Sequence, residues 1–286
     1  MKKIIFFILC FSICFAKEFC VSTYNVENLF DDIYQGTEYK EFIPSKYGWS
    51  KEEAENKFQN TLQVLKDLNS DIYALQEVEN EELVIRIKNE LGFKFHAFSK
   101  NTKTAAGLGL ISKYPITKQH SYTLKKYKMF RPILYVKLSI DEKDLSIWIN
   151  HWPSLKHDNK TRDAFAKSLE FYIKSANDNH FLVLGDFNSP DGFDLIIEKI
   201  FKNSIYDPWN DISKKNRWSY VYQGNRNILD RILISNSLLH DEEFLYLKNS
   251  FKPFKREYLL NSHGHPKGNF RGYSDHLPLI ACFKTK

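Results

Sequence analysis

The sequence predicts an α/β fold in a single domain, and three observations carry that prediction. Short runs rich in β-branched and aromatic residues alternate with stretches whose apolar residues recur at helical spacing. The polar residues capable of chemistry fall at the ends of those apolar runs. No internal repeat, low-complexity linker or shift of composition marks a boundary, so residues 17–286 read as one domain. Apolar residues at 43% and aromatics at 15% suffice for a substantial core.

The elements follow in order. Phe19 to Val26 reads as a strand running into polar Glu27-Asn28, and 31–49 as a long irregular loop. Ser50 with Glu53 three residues on is a capping-box signature. Behind it Ala54, Phe58, Leu62, Leu65 and Leu68 share one helical face. Asp71 to Leu75 is a buried strand, and Glu81 to Leu91 a helix with Leu83, Ile87 and Leu91 inward. Phe93 to Phe98 and Leu108 to Ser112 are strands, the second stopped by Tyr114-Pro115. Ile133 to Ile140 and Leu145 to Asn150 form a hairpin across Asp141-Glu142-Lys143-Asp144. A helix from about Thr161 to Asn177 turns Phe165, Leu169, Tyr172 and Ile173 inward. Phe181 to Leu184 is a strand before a turn at Gly185, and 193–201 a short helix. Ile228 to Ser235 and Leu277 to Phe283 are the last strands. The loops at 31–49, 152–160 and 251–274 are long enough to expect function or motion in them.

The N-terminus implies export. Basic Met1-Lys2-Lys3 precedes an apolar run from Ile4 to Phe15, and cleavage is expected after Ala16. The run falls short of the about 20 apolar residues that span a bilayer. The expected destination is the periplasm or the medium, with no membrane attachment afterwards. The chain carries 41 basic and 35 acidic residues, net +6, and losing Lys2 and Lys3 with the leader leaves +4. That charge permits an anionic substrate without demanding one. Cys10 and Cys14 would leave with the leader. Cys20 and Cys282 remain, and spacing alone leaves open a bridge or two buried thiols.

Asn25 ends the first strand, Glu77 follows Tyr73-Ala74-Leu75-Gln76, and Asn150-His151 follow Trp148-Ile149. Asp186 and Asn188 follow Val183-Leu184-Gly185, and Asp275-His276 precede Leu277. Strand ends on one sheet edge gather residues distant in sequence. Any one of these residues alone reads as a turn or a cap, but together they are an inventory for breaking a phosphate ester. Glu77 and Asp275 supply hard carboxylate oxygens of the kind Mg²⁺ or Mn²⁺ accepts, and Asn25 can add a carbonyl oxygen or position the attacking water. Two histidines can move protons near neutral pH. Asp186 and Asn188, two apart in extended chain, can point the same way. There is no zinc-spaced Cys/His grouping, no P-loop and no G-x-S-x-G turn, so direct water attack assisted by metal is favoured over covalent catalysis.

These residues sit in a recognisable series: Thr23-Tyr24-Asn25-Val26-Glu27-Asn28-Leu29-Phe30, Leu75-Gln76-Glu77-Val78, Asn150-His151-Trp152-Pro153-Ser154, Gly185-Asp186-Phe187-Asn188, Leu229-Asp230-Arg231-Ile232 and Ser274-Asp275-His276-Leu277-Pro278. In order and span the series resembles the endonuclease/exonuclease/phosphatase superfamily, the DNase I-like fold. The Asn-His-Trp-Pro-Ser form, with Arg162 following, is similar to a bacterial secreted-nuclease branch. The resemblance implies a four-layered α/β sandwich of two packed sheets flanked by helices. It implies Glu77 as main metal ligand with Asp275 and Asn25, and His276, oriented by Asp230, taking the proton from the attacking water. Asp186 and Asn188 would hold water and phosphate, and His151 would protonate the leaving oxygen or steady the phosphorane. Which histidine is acid and which is base stays open. Relatives acting at abasic sites carry tyrosine where His151 stands, so histidine here is more like a non-specific nuclease. The implied cofactor is Mg²⁺, with Mn²⁺ or an accessory Ca²⁺ as alternatives. The implied partner is nucleic acid, DNA ahead of RNA, met by a monomeric endonuclease.

Arg131, before Pro132, resembles an arginine that contacts phosphate in several relatives, with Lys125, Lys126 and Lys128 upstream. Lys214, Lys215, Arg217 and Arg226 interleave with Trp209, Trp218, Tyr220 and Tyr222, either as a base-stacking surface or as core aromatics beside surface charges. His263 and His265 read as a surface pair rather than a second metal site. Two other functions compete: a phosphatase or phospholipase-like phosphodiesterase of the same superfamily, and a non-catalytic DNA-binding or toxin subunit. The first would want a Pro-Ala-Trp-type context before Asp230-Arg231, and the second a missing site residue; the sequence has neither. In the resembled fold the first and last strands are antiparallel neighbours. Cys20 and Cys282 then stand level, and a disulfide between them is expected.

Overall fold

The computed structural model describes residues 16–189, 201, 204–266, 268 and 271–286. The leader lies outside the described residues except for Ala16, and the helix expected over 193–201 except for Phe201. Strands β1 (Glu18–Leu29) and β2 (Ile72–Val78) are joined by helix α1 (Lys51–Leu68). Helix α2 (Glu81–Glu90) leads into β3 (Phe95–Ser99), β4 (Gly107–Ser112), β5 (Ile116–Tyr122), β6 (Ile133–Ile140) and β7 (Lys143–His151). Helix α3 (Asn159–Ala176) returns the chain to β8 (Phe181–Asp186). Then come β9 (Ile205–Tyr206), β10 (Tyr220–Tyr222), β11 (Asn225–Asn227) and β12 (Asp230–Ser235). Last are β13 (Phe244–Tyr246), β14 (Lys252–Pro253) and β15 (Leu279–Thr285).

One sheet runs β13-β15-β1-β2-β4-β3 with β14 also on β15, and the other runs β5-β6-β7-β8-β12-β9. Each sheet is built around one parallel pair, β1 with β2 and β7 with β8, flanked by antiparallel strands. A parallel pair needs a crossover of a dozen residues or more, which α1 and α3 supply. The two halves therefore share a plan that no sequence repeat announces.

Period-two alternation makes the layers. Val21, Ile72, Ala74, Ile147, Ile149, Leu182, Leu184, Ile232 and Ile234 point between the sheets and are fully buried there. Their neighbours Tyr73 and Leu75 face α1 and α2, meeting Phe58, Leu62, Leu65, Val84 and Ile87. On the far side Trp148, Val183 and Leu233 meet Phe165 and Leu169 of α3. Helix, sheet, sheet, helix is the four-layered sandwich. Cutting Trp148 to alanine would cost about 3–5 kcal/mol. Among the described residues no helix is long and apolar enough to cross a membrane.

The helix starts are set by side-chain caps. The Ser50 oxygen accepts from the Glu53 amide at 3.2 Å, and the Asp158 carboxylate accepts from the Thr161 amide at 2.9 Å. The second cap starts α3 two residues before the expected point. The hairpin turn is also tighter than expected: β7 begins at Lys143, leaving Asp141 and Glu142, with φ of 50° and 66°, as a two-residue connection. Strand β5 was not expected, because Ile116–Tyr122 is an edge strand exposed at most positions and lacks an apolar run. Cys20 stands directly opposite Cys282 in the β1–β15 ladder, and the two are bridged.

Candidate active site

The carboxyl ends of both parallel pairs meet at one edge, and the backbone there departs from regular strand. The β1–β2 register shifts between Asn25 and Leu29, where Glu27 and Asn28 have φ of 50° and 60°. Glu77 sits in a second irregularity at φ 67°. Bulges of this kind re-aim side chains at sheet edges. Gly185, at φ 125°, lies so close to β7 that an added Cβ would stand 2.0 Å from the Asn150 carbonyl oxygen. Only glycine fits there, and its turn delivers Asp186 opposite both His151 and Asp230.

These elements enclose a cavity of about 800 Å³ lined by Asn25, Glu77, Arg131, His151, Asp186, Asn188, Asp275 and His276. Asp230 stands behind it, 1% exposed. All nine residues expected from the sequence thus fall in one site. The Asn25 amide donates to Asp186 Oδ2 at 3.0 Å and to Glu77 Oε1 at 3.3 Å. The second Glu77 oxygen accepts from the Asn28 amide at 3.0 Å. Asp186 Oδ1 accepts from the Asn188 backbone at 2.8 Å, and the Asn188 side chain donates to the Trp152 carbonyl at 3.0 Å. Arg131 donates to the Tyr39 hydroxyl at 3.2 Å.

The two histidines are buried but opposite in charge. His276 Nδ1 lies 2.8 Å from Asp230 Oδ2, and its Nε2 lies 3.8 Å from both Asp186 and Asp275. Burial opposes its charge, but Asp230, Asp275 and Asp186 outweigh burial and hold it protonated well above its ordinary range. His151 Nε2 faces Glu77 and Asp186 at 3.6 Å each. Burial, with Arg131 and His276 nearby, keeps that ring neutral well below its ordinary range. A neutral ring facing two carboxylates carries its proton on Nε2, which leaves Nδ1 buried with no hydrogen-bond partner among the described residues. Burial also raises Asp186 to about 7, against the pull of His276.

Glu27 has no role assigned from its motif, but the fold gives it one. Its Oε2 accepts from the Asp275 amide at 3.0 Å, tying β1 to the Ser274–His276 turn, and Ser274 Oγ donates to the Asn25 carbonyl at 2.7 Å. Burial and the Asp275 charge raise the Glu27 carboxyl to about 8. Its place in the Asn25 motif was the available signal, although the bulge there breaks the strand alternation that would otherwise aim it. Asp275 is likewise raised by burial and by Glu77, against His276. Surplus negative charge on oxygen ligands is what a hard divalent cation relieves, so Glu77, Asp275, Glu27 and Asn25 fit such an ion. Among the described residues, acidic and histidine ligand atoms lie within 4.8 Å of one another in two groups, Asp186, Asp230 and His276, and, outside the cavity lining, His180, Asp241 and Glu243; in the first the hydrogen bond from His276 already engages Asp230.

Among the aromatics, Trp209 and Trp218 are core, 1% and 3% exposed, while Tyr220 stacks on His276 with centroids 4.8 Å apart. Tyr222, Lys103 and Lys156 line the cavity; Lys125, Lys126 and Lys128 do not. Arg226 and Lys255 lie over the Trp218 ring. The rings of His263 and His265 are 6.4 Å apart and outside the cavity lining.

Two packed sheets whose parallel strands end in carboxylates and histidines define a DNase I-like α/β sandwich. The chain belongs to the Endonuclease/Exonuclease/phosphatase family, whose model matches residues 20–284. No curated protein matches it significantly. Among solved structures it is similar to truncated TDP2 from Caenorhabditis elegans, at 17% identity and TM-score 0.64 over 93% of this chain and 97% of that one. It is also similar to D. rerio TDP2 complexed with a single-strand DNA product, at 15% identity and TM-score 0.66 over 94% and 99%. An AP endonuclease from Archaeoglobus fulgidus matches at 16% identity and TM-score 0.61 over 92% and 98%. At these identities the likeness is one of fold.

Proposed function

We propose that the protein is an exported, monomeric, Mg²⁺-dependent endonuclease that hydrolyses DNA, in preference to RNA, without sequence specificity. The observation that carries this reading is the convergence of Asn25, Glu77, His151, Asp186, Asn188, Asp275 and His276 on one cavity, with Asp230 behind His276. The DNA named in the similar D. rerio structure and the AP endonuclease likeness support a nucleic-acid substrate. The Cys20–Cys282 bridge supports an oxidising compartment, periplasm or medium.

Glu77, Asp275, Glu27 and Asn25 would hold the cation, which supplies Lewis-acid stabilisation of the charged phosphate. Mn²⁺ would serve the same oxygen donors. Asp230 fixes His276 with Nδ1 as donor; a bound cation, by offsetting the Asp275 charge, would lower the His276 pKa so that Nε2 could take the proton of the attacking water. Asp186 and Asn188 orient that water and the phosphate. His151, neutral with its proton on Nε2, offers a hydrogen bond to the leaving oxygen or to the phosphorane. Arg131, Lys103 and Lys156 offer positive charge to the phosphate backbone.

A panel of plasmid DNA, RNA, a phosphoinositide and sphingomyelin, each with and without Mg²⁺, tests the reading. Cleavage of DNA without site preference is expected. Turnover confined to the lipids, or a sharp pattern at one sequence or lesion, would contradict it.

A further inference from the structure

His180 stands at the start of β8, and Asp241 and Glu243 stand on the segment that leads into β13. The two strands belong to different sheets. Asp186 ends β8 at the active site, so at about 3.3 Å per residue the His180 group lies about 20 Å away from it.

The His180 ring is 8% exposed and is held edge-on against Phe244, with centroids 5.4 Å apart. The Glu243 amide donates to Asp241 Oδ1 at 2.7 Å, and Oδ2 faces the ring. His180 Nε2 lies 3.1 Å from that oxygen, and Nδ1 lies 3.4 Å from Glu243 Oε2. Nε2 is nevertheless buried without a hydrogen-bond partner among the described residues. At 3.1 Å distance is no obstacle, so Asp241 stands beside the line of the ring nitrogen rather than on it. A second ligand takes that place when a cation occupies the line. Two atoms each about 2 Å from a tetrahedral ion are about 3.3 Å apart. The ligand atoms of all three residues lie within 4.8 Å of one another. The side chains of Asp241 and Glu243 are 32% and 54% exposed, which gives an ion a way in and leaves room for water as the fourth ligand. The neighbouring Lys143 ammonium reaches the Glu243 backbone carbonyl.

We infer that His180, Asp241 and Glu243 form a Zn²⁺ site that clips the two sheets together at the end of the sandwich opposite the active site. A buried imidazole nitrogen with two carboxylates suits Zn²⁺, whereas Mg²⁺ and Ca²⁺ favour oxygen ligands alone. The ion is structural and separate from the cation of the proposed cleavage reaction.

The test is calorimetric titration of Zn²⁺ into wild type, Asp241→Asn, Glu243→Gln and Glu77→Gln, each in excess Mg²⁺, with thermal unfolding in parallel. Asn at 241 keeps an oxygen for the Glu243 amide, and Glu243 is exposed, so both variants should fold. Wild type should bind Zn²⁺ and unfold several degrees higher with it, because the ion holds only the folded form. Glu77→Gln should keep that binding. Asp241→Asn and Glu243→Gln should each weaken it more than about tenfold, since even outer partners of a metal ligand cost that much. Wild type that takes up no Zn²⁺ under Mg²⁺ would overturn the inference. So would Asp241→Asn or Glu243→Gln binding Zn²⁺ as tightly as wild type, or binding that is lost in Glu77→Gln.

Discussion

His276 and Asp230 form a buried pair 2.8 Å apart, supplied by the last turn of the chain and the start of β12. Asp230→Asn keeps the shape but removes the charge that orients and stabilises the imidazolium. Turnover should fall sharply. His276→Ala and His151→Ala should each lose about 10²-fold or more, with circular dichroism unchanged. Near-normal activity in either histidine variant at neutral pH would remove that residue from the mechanism.

The opposite charges of the two histidines predict a pH signature. His276 has its folded pKa raised, so its stabilising contribution is complete below the unfolded value of about 6.5 and is lost as pH rises through the folded value. His151 has its folded pKa depressed, so stability is lost as pH falls below about 6.5, where only the unfolded chain takes up the proton. Nitrogen-15 spectra of metal-free protein should show His276 losing its proton well above, and His151 well below, the ordinary histidine range. Mg²⁺ should lower the His276 value by neutralising Asp275. Two histidines titrating together near 6.5 would contradict this electrostatic picture.

Gly185→Ala should destabilise the fold by several kcal/mol. The new Cβ would stand 2.0 Å from the Asn150 carbonyl oxygen, and the φ of 125° disfavours any side chain. Denaturant unfolding measures the loss, and a change below 1 kcal/mol would refute the close approach of β7 and β8.

The disulfide closes almost the whole of residues 17–286. Chain entropy sets an upper figure of about 5 kcal/mol for its contribution. Denatured, unreduced protein lacking residues 1–16 should show no free thiol. Two free thiols would mean the bridge is absent in solution.

The sequence discloses the layers where burial is periodic. The faces of α1 and α3, the alternating residues of β1, β2, β7 and β8, and the motif residues at their ends could all be read directly. It conceals elements that bury little: exposed β5 and the two-residue strands β9 and β14 carry no apolar signal. Glu27 went without a role because a bulge, not a regular strand, aims it at Asp275. Lys57 sits on the buried face of α1 although charge ordinarily marks the outer face of a helix, so the apolar pattern does not disclose it. Tyr220 lay in a stretch where two buried tryptophans made a core reading fit, and only the turn at Ser274–His276 brings His276 against its ring.

The proposed function requires Glu77 and its neighbours to hold a divalent cation without which the phosphodiester is not cleaved. Plasmid DNA incubated with wild type, with wild type in excess chelator, with Mg²⁺ restored, and with Glu77→Gln measures it directly. Nicking by wild type is expected, with loss in chelator, recovery with Mg²⁺, and little activity from Glu77→Gln at any Mg²⁺ concentration. Undiminished cleavage in excess chelator, or by Glu77→Gln, would contradict it.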